Sequence, residues 1–382
     1  MKSNHMTISS SKLTLSVHAG STGDPQFKGL VNPIYPSSAY DYEEVAQTQY
    51  PRYFNTPNQR AVAQKLAALE NGEDALVFSS GLAAIMTSMF AFLKTGDHAV
   101  LQSDLYGGTF NAVTVEFPKF GMEYTLVDGT KPEEFEKAIQ PNTRVVFIET
   151  PSNPTLKITD ISAVVSIARK HHVLTIIDNT FASPVNQNPL DLGIDIVTHS
   201  GTKYIGGHSD LSCGAAVASK DHIRTIWGSA FHFGGSLDAH TSWLVERSLK
   251  TLVLRVRQQN ENAMNIAEWL RTNKKIARVF YPGLKDHPGH DIARKQMPGG
   301  FGGMLSFEVK DNAVKFIERL KLIRRAISLG GVESTVCVSA KTSHVKMSAE
   351  ERASMDVSDN LVRFSVGIED AQDLIHDIEQ AL

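Results

Sequence analysis

Four short segments carry residues whose types and spacing could do chemistry together. The first is Ser200-Gly201-Thr202-Lys203-Tyr204, which follows the apolar run Ile194–Thr198. A lysine just past a strand end stands at the functional edge of an open α/β sheet, and its amine can form an imine with an aldehyde. Ser200 and Thr202 offer hydroxyls to a phosphate. The second is Asp178, which closes the apolar run Val173–Ile177, 25 residues before Lys203. An anion here can hold a pyridine nitrogen protonated, although Asp178-Asn179-Thr180 is also good turn chemistry. The third is Ser79-Ser80-Gly81-Leu82, where N–H groups at a helix N-terminus and a glycine permit close approach of an anion. The fourth is Leu105-Tyr106-Gly107-Gly108-Thr109, whose tyrosine could stack on a planar ring. Each pattern alone is ordinary. In this order they describe a site for an aromatic aldehyde bearing a phosphate, as in pyridoxal 5′-phosphate (PLP).

The elements that must position these residues follow from periodicity. Strands are predicted at Ala75–Phe78, His98–Leu101, Glu123–Val127, Arg144–Glu149, Leu174–Asp178 and Ile194–His199. Helices are predicted between them near 59–71, 82–94, 132–139 and 159–172, and this alternation predicts a mostly parallel sheet covered on both faces. One long helical stretch is predicted over 239–272. Strands Gly303–Val309 and Leu361–Val366 then fall among helices near 311–322 and 370–382. The expected organisation is an arm over 1–58, a cofactor-binding domain over 59–245 and a smaller α+β domain over 246–382.

The composition agrees with an enzyme that needs no polymer or lipid partner. A chain of 382 residues exceeds one ordinary core, and 42% hydrophobic with 21% charged residues reads as a globular protein. The net charge of −3 offers no basic excess for nucleic acid and no polybasic run for a membrane. Cys213 and Cys337 have no metal-ligand spacing and no disulfide framework, so no metal is expected and a cytoplasmic location is. The N-terminus lacks the apolar core of a signal peptide. Neither Ser79–Leu82 nor Gly299–Gly303 matches the dinucleotide fingerprint or the P-loop, which counts against NAD and ATP.

The run Asp178-Asn179-Thr180-Phe181, Asn188–Gly193, His199–Tyr204 and Gly207-His208-Ser209-Asp210 resembles the Cys/Met metabolism PLP-dependent family, the trans-sulfuration enzymes, over about residues 17 to 382. The resemblance implies the aspartate-aminotransferase-type fold (fold type I), with PLP carried as an imine on Lys203. It implies cofactor contacts from Asp178, Ser200, Thr202, Gly81, Leu82 and Tyr106. It also implies a shared site in which Tyr50 and Arg52, from the arm segment Tyr50–Asn55, reach the phosphate of a neighbouring subunit in a homotetramer built of two active dimers. Arg363, Asn153 and Ser328 match substrate-binding positions, and Lys203 and Tyr106 catalytic ones. Two segments depart from the family pattern: Thr56-Pro57, and Val338–His344 at the substrate border. The implied reaction is elimination or replacement at Cγ of a sulfur amino acid or activated homoserine, of the cystathionine γ-synthase or γ-lyase type. The alternatives are β-elimination from cystathionine, then methionine γ-elimination, against which Gly108 argues. An aminotransferase or a non-catalytic binder on the same fold ranks below these.

Overall fold

A computed structural model describes residues 10–43, 45–342, 345, 352 and 356–382 of the chain. Seven strands form the larger sheet: β1 (Asp74–Phe78), β2 (His98–Gln102), β3 (Glu123–Val127), β4 (Thr143–Glu149), β5 (Leu174–Asp178), β6 (Ile196–Ser200) and β7 (Gly214–Ala218). Their spatial order is β1-β7-β6-β5-β4-β2-β3. All neighbours run parallel except β7, which is antiparallel to both β1 and β6.

The central strands are largely apolar because both faces are covered. Successive residues point to opposite faces. Val145 and Phe147 of β4 therefore join a cluster with Ile85 and Met89 of the helix Gly81–Phe92, while Val146 and Ile148 join one with Ile161, Val164, Val165 and Ala168 of the helix Ile161–Lys170. The latter four are spaced as one helical face, and Asp160 caps that helix by accepting from the Ala163 N–H.

All six predicted strands of this sheet are present within about two residues. β7, Gly-Ala-Ala-Val-Ala, was not predicted, because small residues carry little strand signal. Nor was the helix Gly107–Lys119, which opens on two glycines and contains Pro118. The predicted long helix over 239–272 is corrected to two, Ala239–Leu249 and Leu252–Thr272. At the break the Thr251 N–H bonds back three residues to the Ser248 carbonyl, which also accepts from Thr251 Oγ1 and Arg255 Nη2. That carbonyl is thus drawn out of the helical ladder.

A second sheet runs β10 (Arg324–Arg325), β11 (Thr335–Val338), β12 (Leu361–Ser365), β9 (Met304–Val309), β8 (Ile276–Phe280). Its core joins Leu305, Phe307, Val336, Val338, Val362 and Phe364 to Leu374 and Ile378 of the helix Ala371–Ala381. The helix Leu252–Thr272 serves both parts: Leu252, Val253 and Val256 pack under the larger sheet, and Ala263, Ile266, Ala267 and Leu270 under the smaller. At the other end of the chain, the helix Lys12–His18 is tied down by the buried Lys65, whose Nζ donates to the carbonyls of Ser16 (3.0 Å) and Val17 (3.1 Å) and to Ser21 Oγ (3.3 Å). Among the described residues no helix is long and apolar enough to cross a membrane.

Candidate active site

Because β4, β5 and β6 are parallel neighbours, their last residues, Glu149, Asp178 and Ser200, gather at one sheet edge. This is where open α/β sheets bind ligands. A cavity of about 580 Å³ opens there, lined by Gly81, Leu82, Tyr106, Glu149, Asn153, Asp178, Ser200, Thr202, Lys203, Ser328 and Arg363 among others.

The turn after β6 is built to present Lys203. The Lys203 N–H bonds to the Ser200 carbonyl, and Gly206 and Gly207 bond back to Gly201 and Lys203. Thr202 Oγ1 accepts from the Cys213 N–H at 3.1 Å, which ties the turn to the start of β7. The next residue, Tyr204, is fully buried, and its hydroxyl accepts from the Gly303 N–H at 3.1 Å. Gly207 has φ +67°, and a side chain there would meet the Arg255 guanidinium, which donates to the Tyr204 carbonyl at 2.8 Å. With its neighbours fixed on both sides, Lys203 projects into the cavity and its Nζ donates to Ser328 Oγ at 2.9 Å. Burial, helped by the Arg363 charge, lowers its pKa to about 8 against an opposing pull from Asp178.

Arg363, on β12, reaches the cavity from the smaller sheet. Its Nη1 donates to Asn153 Oδ1 and its Nη2 to the Ser328 carbonyl, both at 3.1 Å. Asp178 accepts from the Thr180 N–H at 3.0 Å and the Thr180 hydroxyl at 2.5 Å. Burial raises its pKa, opposed by these two bonds and by the nearby His199 and Lys203. Ser80 caps the helix Gly81–Phe92 by accepting from the Ala83 N–H at 3.2 Å, and the first N–H groups of that helix lack intrahelical acceptors. A Cβ on Gly81 would lie 2.6 Å from that of Ser200, so only glycine lets the helix start pack against the end of β6.

Ten of the sequence-predicted site residues, from Gly81 to Arg363, thus line one cavity. Tyr50 and Arg52 do not. They lie at the turn Pro51–Tyr53, where Arg52 Nη1 donates to the Phe231 carbonyl at 2.6 Å and the guanidinium stands 4.7 Å from the Phe231 ring centre. Ser343 and His344, of the departing segment, lie outside the described residues, while Thr342 lines the cavity. Sequence reasoning missed Glu149 and Thr180. Glu149 carried the same signal as Asp178, a carboxylate ending an apolar run.

The residues fit PLP. Hydroxyls of Ser200 and Thr202 and the first turn of the helix at Gly81 could take a phosphate, the buried Asp178 a ring nitrogen, and Lys203 the aldehyde carbon. Residues 13–382 match the family model for the Cys/Met metabolism PLP-dependent enzymes. The chain is 44% identical to the cystathionine γ-lyase of Bacillus subtilis over 97% of its own length and 99% of the relative's. It is 42% identical to the cystathionine β-lyase of Lactococcus lactis over 97% and 98%. The crystal structure of the cystathionine γ-lyase of Lactobacillus plantarum complexed with L-serine superposes with a TM-score of 0.93 at 38% identity, covering 97% of this chain and 98% of that one. A family model matched over nearly the whole chain and relatives above 40% identity end to end leave one assignment: the chain belongs to the Cys/Met metabolism PLP-dependent enzymes.

Proposed function

We propose that this enzyme eliminates or replaces a substituent at Cγ of a sulfur amino acid or activated homoserine, with Lys203 as its proton carrier. The observation that carries the reading is that Lys203 and Arg363 share one cavity and meet at Ser328, Lys203 Nζ donating to its Oγ and Arg363 Nη2 to its carbonyl; burial lowers the amine to about 8. An amine titrating near neutrality serves as both base and acid. Arg363 is pre-oriented by Asn153 and Ser328 and would grip the α-carboxylate by charge-assisted bonds, turning the Cα proton toward Lys203. The cofactor, when bound, supplies the electron sink for charge left at Cα. Asp178, Ser200, Thr202 and the amides of Gly81 and Leu82 would hold it, with Tyr106 against its face. γ-Chemistry requires a second proton to leave Cβ, and the flexible stem of Lys203 can reach both carbons. Tyr106, half-exposed at the mouth, would keep the incoming amine or thiol suitably protonated.

Gly108 stands against methionine γ-elimination, whose enzymes often carry Cys at this position; a Cβ there would lie 2.4 Å from the Tyr106 ring as it stands in this chain. The β-lyase reading stands second, favoured by the 42% identity to the Lactococcus lactis β-lyase. Product analysis decides between them. L-Cystathionine should yield cysteine, ammonia and 2-oxobutyrate, or an O-acyl-homoserine with cysteine should yield cystathionine. In deuterated water the label should also enter Cβ. Homocysteine and pyruvate alone would give the reaction to the β-lyase reading. We further propose a homotetramer of two active dimers, working in the cytoplasm. Arg52, which is outside its own cavity, would serve the partner's site.

A further inference from the structure

Among the described residues, Glu149 is the one carboxylate lining the cavity without a role in the reading above. It ends β4 in register with Asp178 on β5. Its backbone is immobilised by Gln102, whose Oε1 accepts from the Glu149 N–H at 2.9 Å and whose Nε2 donates to the Glu149 carbonyl at 2.7 Å. From this fixed base the side chain reaches across the sheet edge, and Oε2 accepts from the Tyr106 N–H at 2.8 Å. Tyr106 precedes the helix Gly107–Lys119; Leu105 before it is buried in the core, while the two glycines after it give the helix side of the turn no side chain to hold it. The Tyr106 ring is half-exposed, and its close neighbour in the turn is the bare Gly108. Where the ring stands therefore depends on where its backbone is tethered.

We propose that Glu149 is a positioning residue, whose carboxyl clamps the Tyr106 turn to the end of β4 beside Asp178 and so sets the stance of the Tyr106 ring at the cavity. Burial pushes the Glu149 pKa well above the usual carboxylate range, and the neighbouring Asp178 and Asp104 push it the same way, outweighing the Tyr106 N–H. A buried carboxyl beside a second carboxylate keeps its proton so that only one of the two is charged. The direction favours the protonated form, and in either form Glu149 Oε2 is the acceptor that holds the Tyr106 N–H. Glutamine reproduces that acceptor and leucine removes it.

The inference rests on the proposed role of Tyr106 for its catalytic arm alone; the tether itself can be read without it. In the cofactor-loaded protein, Glu149→Leu should speed hydrogen exchange at the Tyr106 amide roughly ten- to a hundredfold, as expected for a lost buried hydrogen bond. It should also change the visible circular dichroism of the cofactor and lower kcat/KM by about tenfold. Glu149→Gln should restore all three to within about threefold of wild type. Wild-type protection of the Tyr106 amide in Glu149→Leu overturns the proposal, as does a Glu149→Gln variant no better than Glu149→Leu. Should Glu149→Leu fail to fold, the infrared difference between wild type and Glu149→Gln decides. The amide frequency of Tyr106 should then stay within a few wavenumbers between the two, with its exchange slow in both, and fast exchange of the Tyr106 amide in wild type overturns the proposal. If borohydride leaves Lys203 of the wild type unlabelled, the functional reading fails, and the amide exchange still judges Glu149.

Discussion

Lys203 is the residue on which most of the chemistry converges, and two measurements test its surroundings. Borohydride should fix PLP to the peptide bearing Lys203 and to no other, and mapping of the reduced adduct checks this. Arg363→Ala should leave the cofactor bound but cost about 2–5 kcal/mol in kcat/KM, the range for removing one partner of a buried charge pair. The same variant carries a second signature. Arg363 lowers the Lys203 pKa, so without it the amine should titrate at higher pH in the cofactor-free protein, which amine-reactivity measurements across pH can follow. At this scale much of the site was legible, because Lys203 and Asp178 lie beside strand ends that the hydrophobic pattern marks. Arg363 was not legible from pattern, since an arginine inside Leu361–Ser365 reads as a solvated strand residue. Only tertiary packing, which buries it against Asn153 and Ser328, reveals its surroundings.

Among the elements, the N-terminal helix Lys12–His18 is fastened by an unusual device. Lys65 is fully buried, and burial lowers its pKa to about 8. The unfolded chain keeps the proton to about 10.4, so between these values the unfolded state binds more protons than the folded one, and stability rises with pH. Between pH 7.5 and 9.5 wild type should gain about 2 kcal/mol relative to Lys65→Met, read from urea midpoints at each pH. Nothing in the sequence marks Lys65, because a lysine in a helix is ordinarily a surface charge. Among the strands that failed to show, β7 is made of small residues, β8 is interrupted by Arg278, and β11 is only four residues long. Strands with continuous Val, Ile and Phe were found because burial on both faces leaves them no polar alternation.

At the scale of the whole molecule the open point is the arm. Arg52 lies outside its own cavity and Tyr50 is exposed. On the proposed assembly, Arg52→Ala and Lys203→Ala, each inactive, should regain partial activity when co-assembled, because one site of each mixed dimer then holds both residues. Mixing purified variants under conditions of subunit exchange and assaying turnover checks this, and a fully active monomer would refute it. The fold class could be read from the alternation of strands and helices, whereas the assembly could not, since no pattern in one chain encodes where a second copy stands.

The helix Leu252–Thr272 has a consequence for how the molecule comes apart. Its first turns are packed in the core beneath the larger sheet and its last turns in the core of the smaller one. It behaves as a keel shared by two hulls, because neither core can lose it and remain watertight. Heat should therefore melt both in one endotherm, and a protease nick anywhere along this helix should scuttle the entire chain rather than release a surviving half.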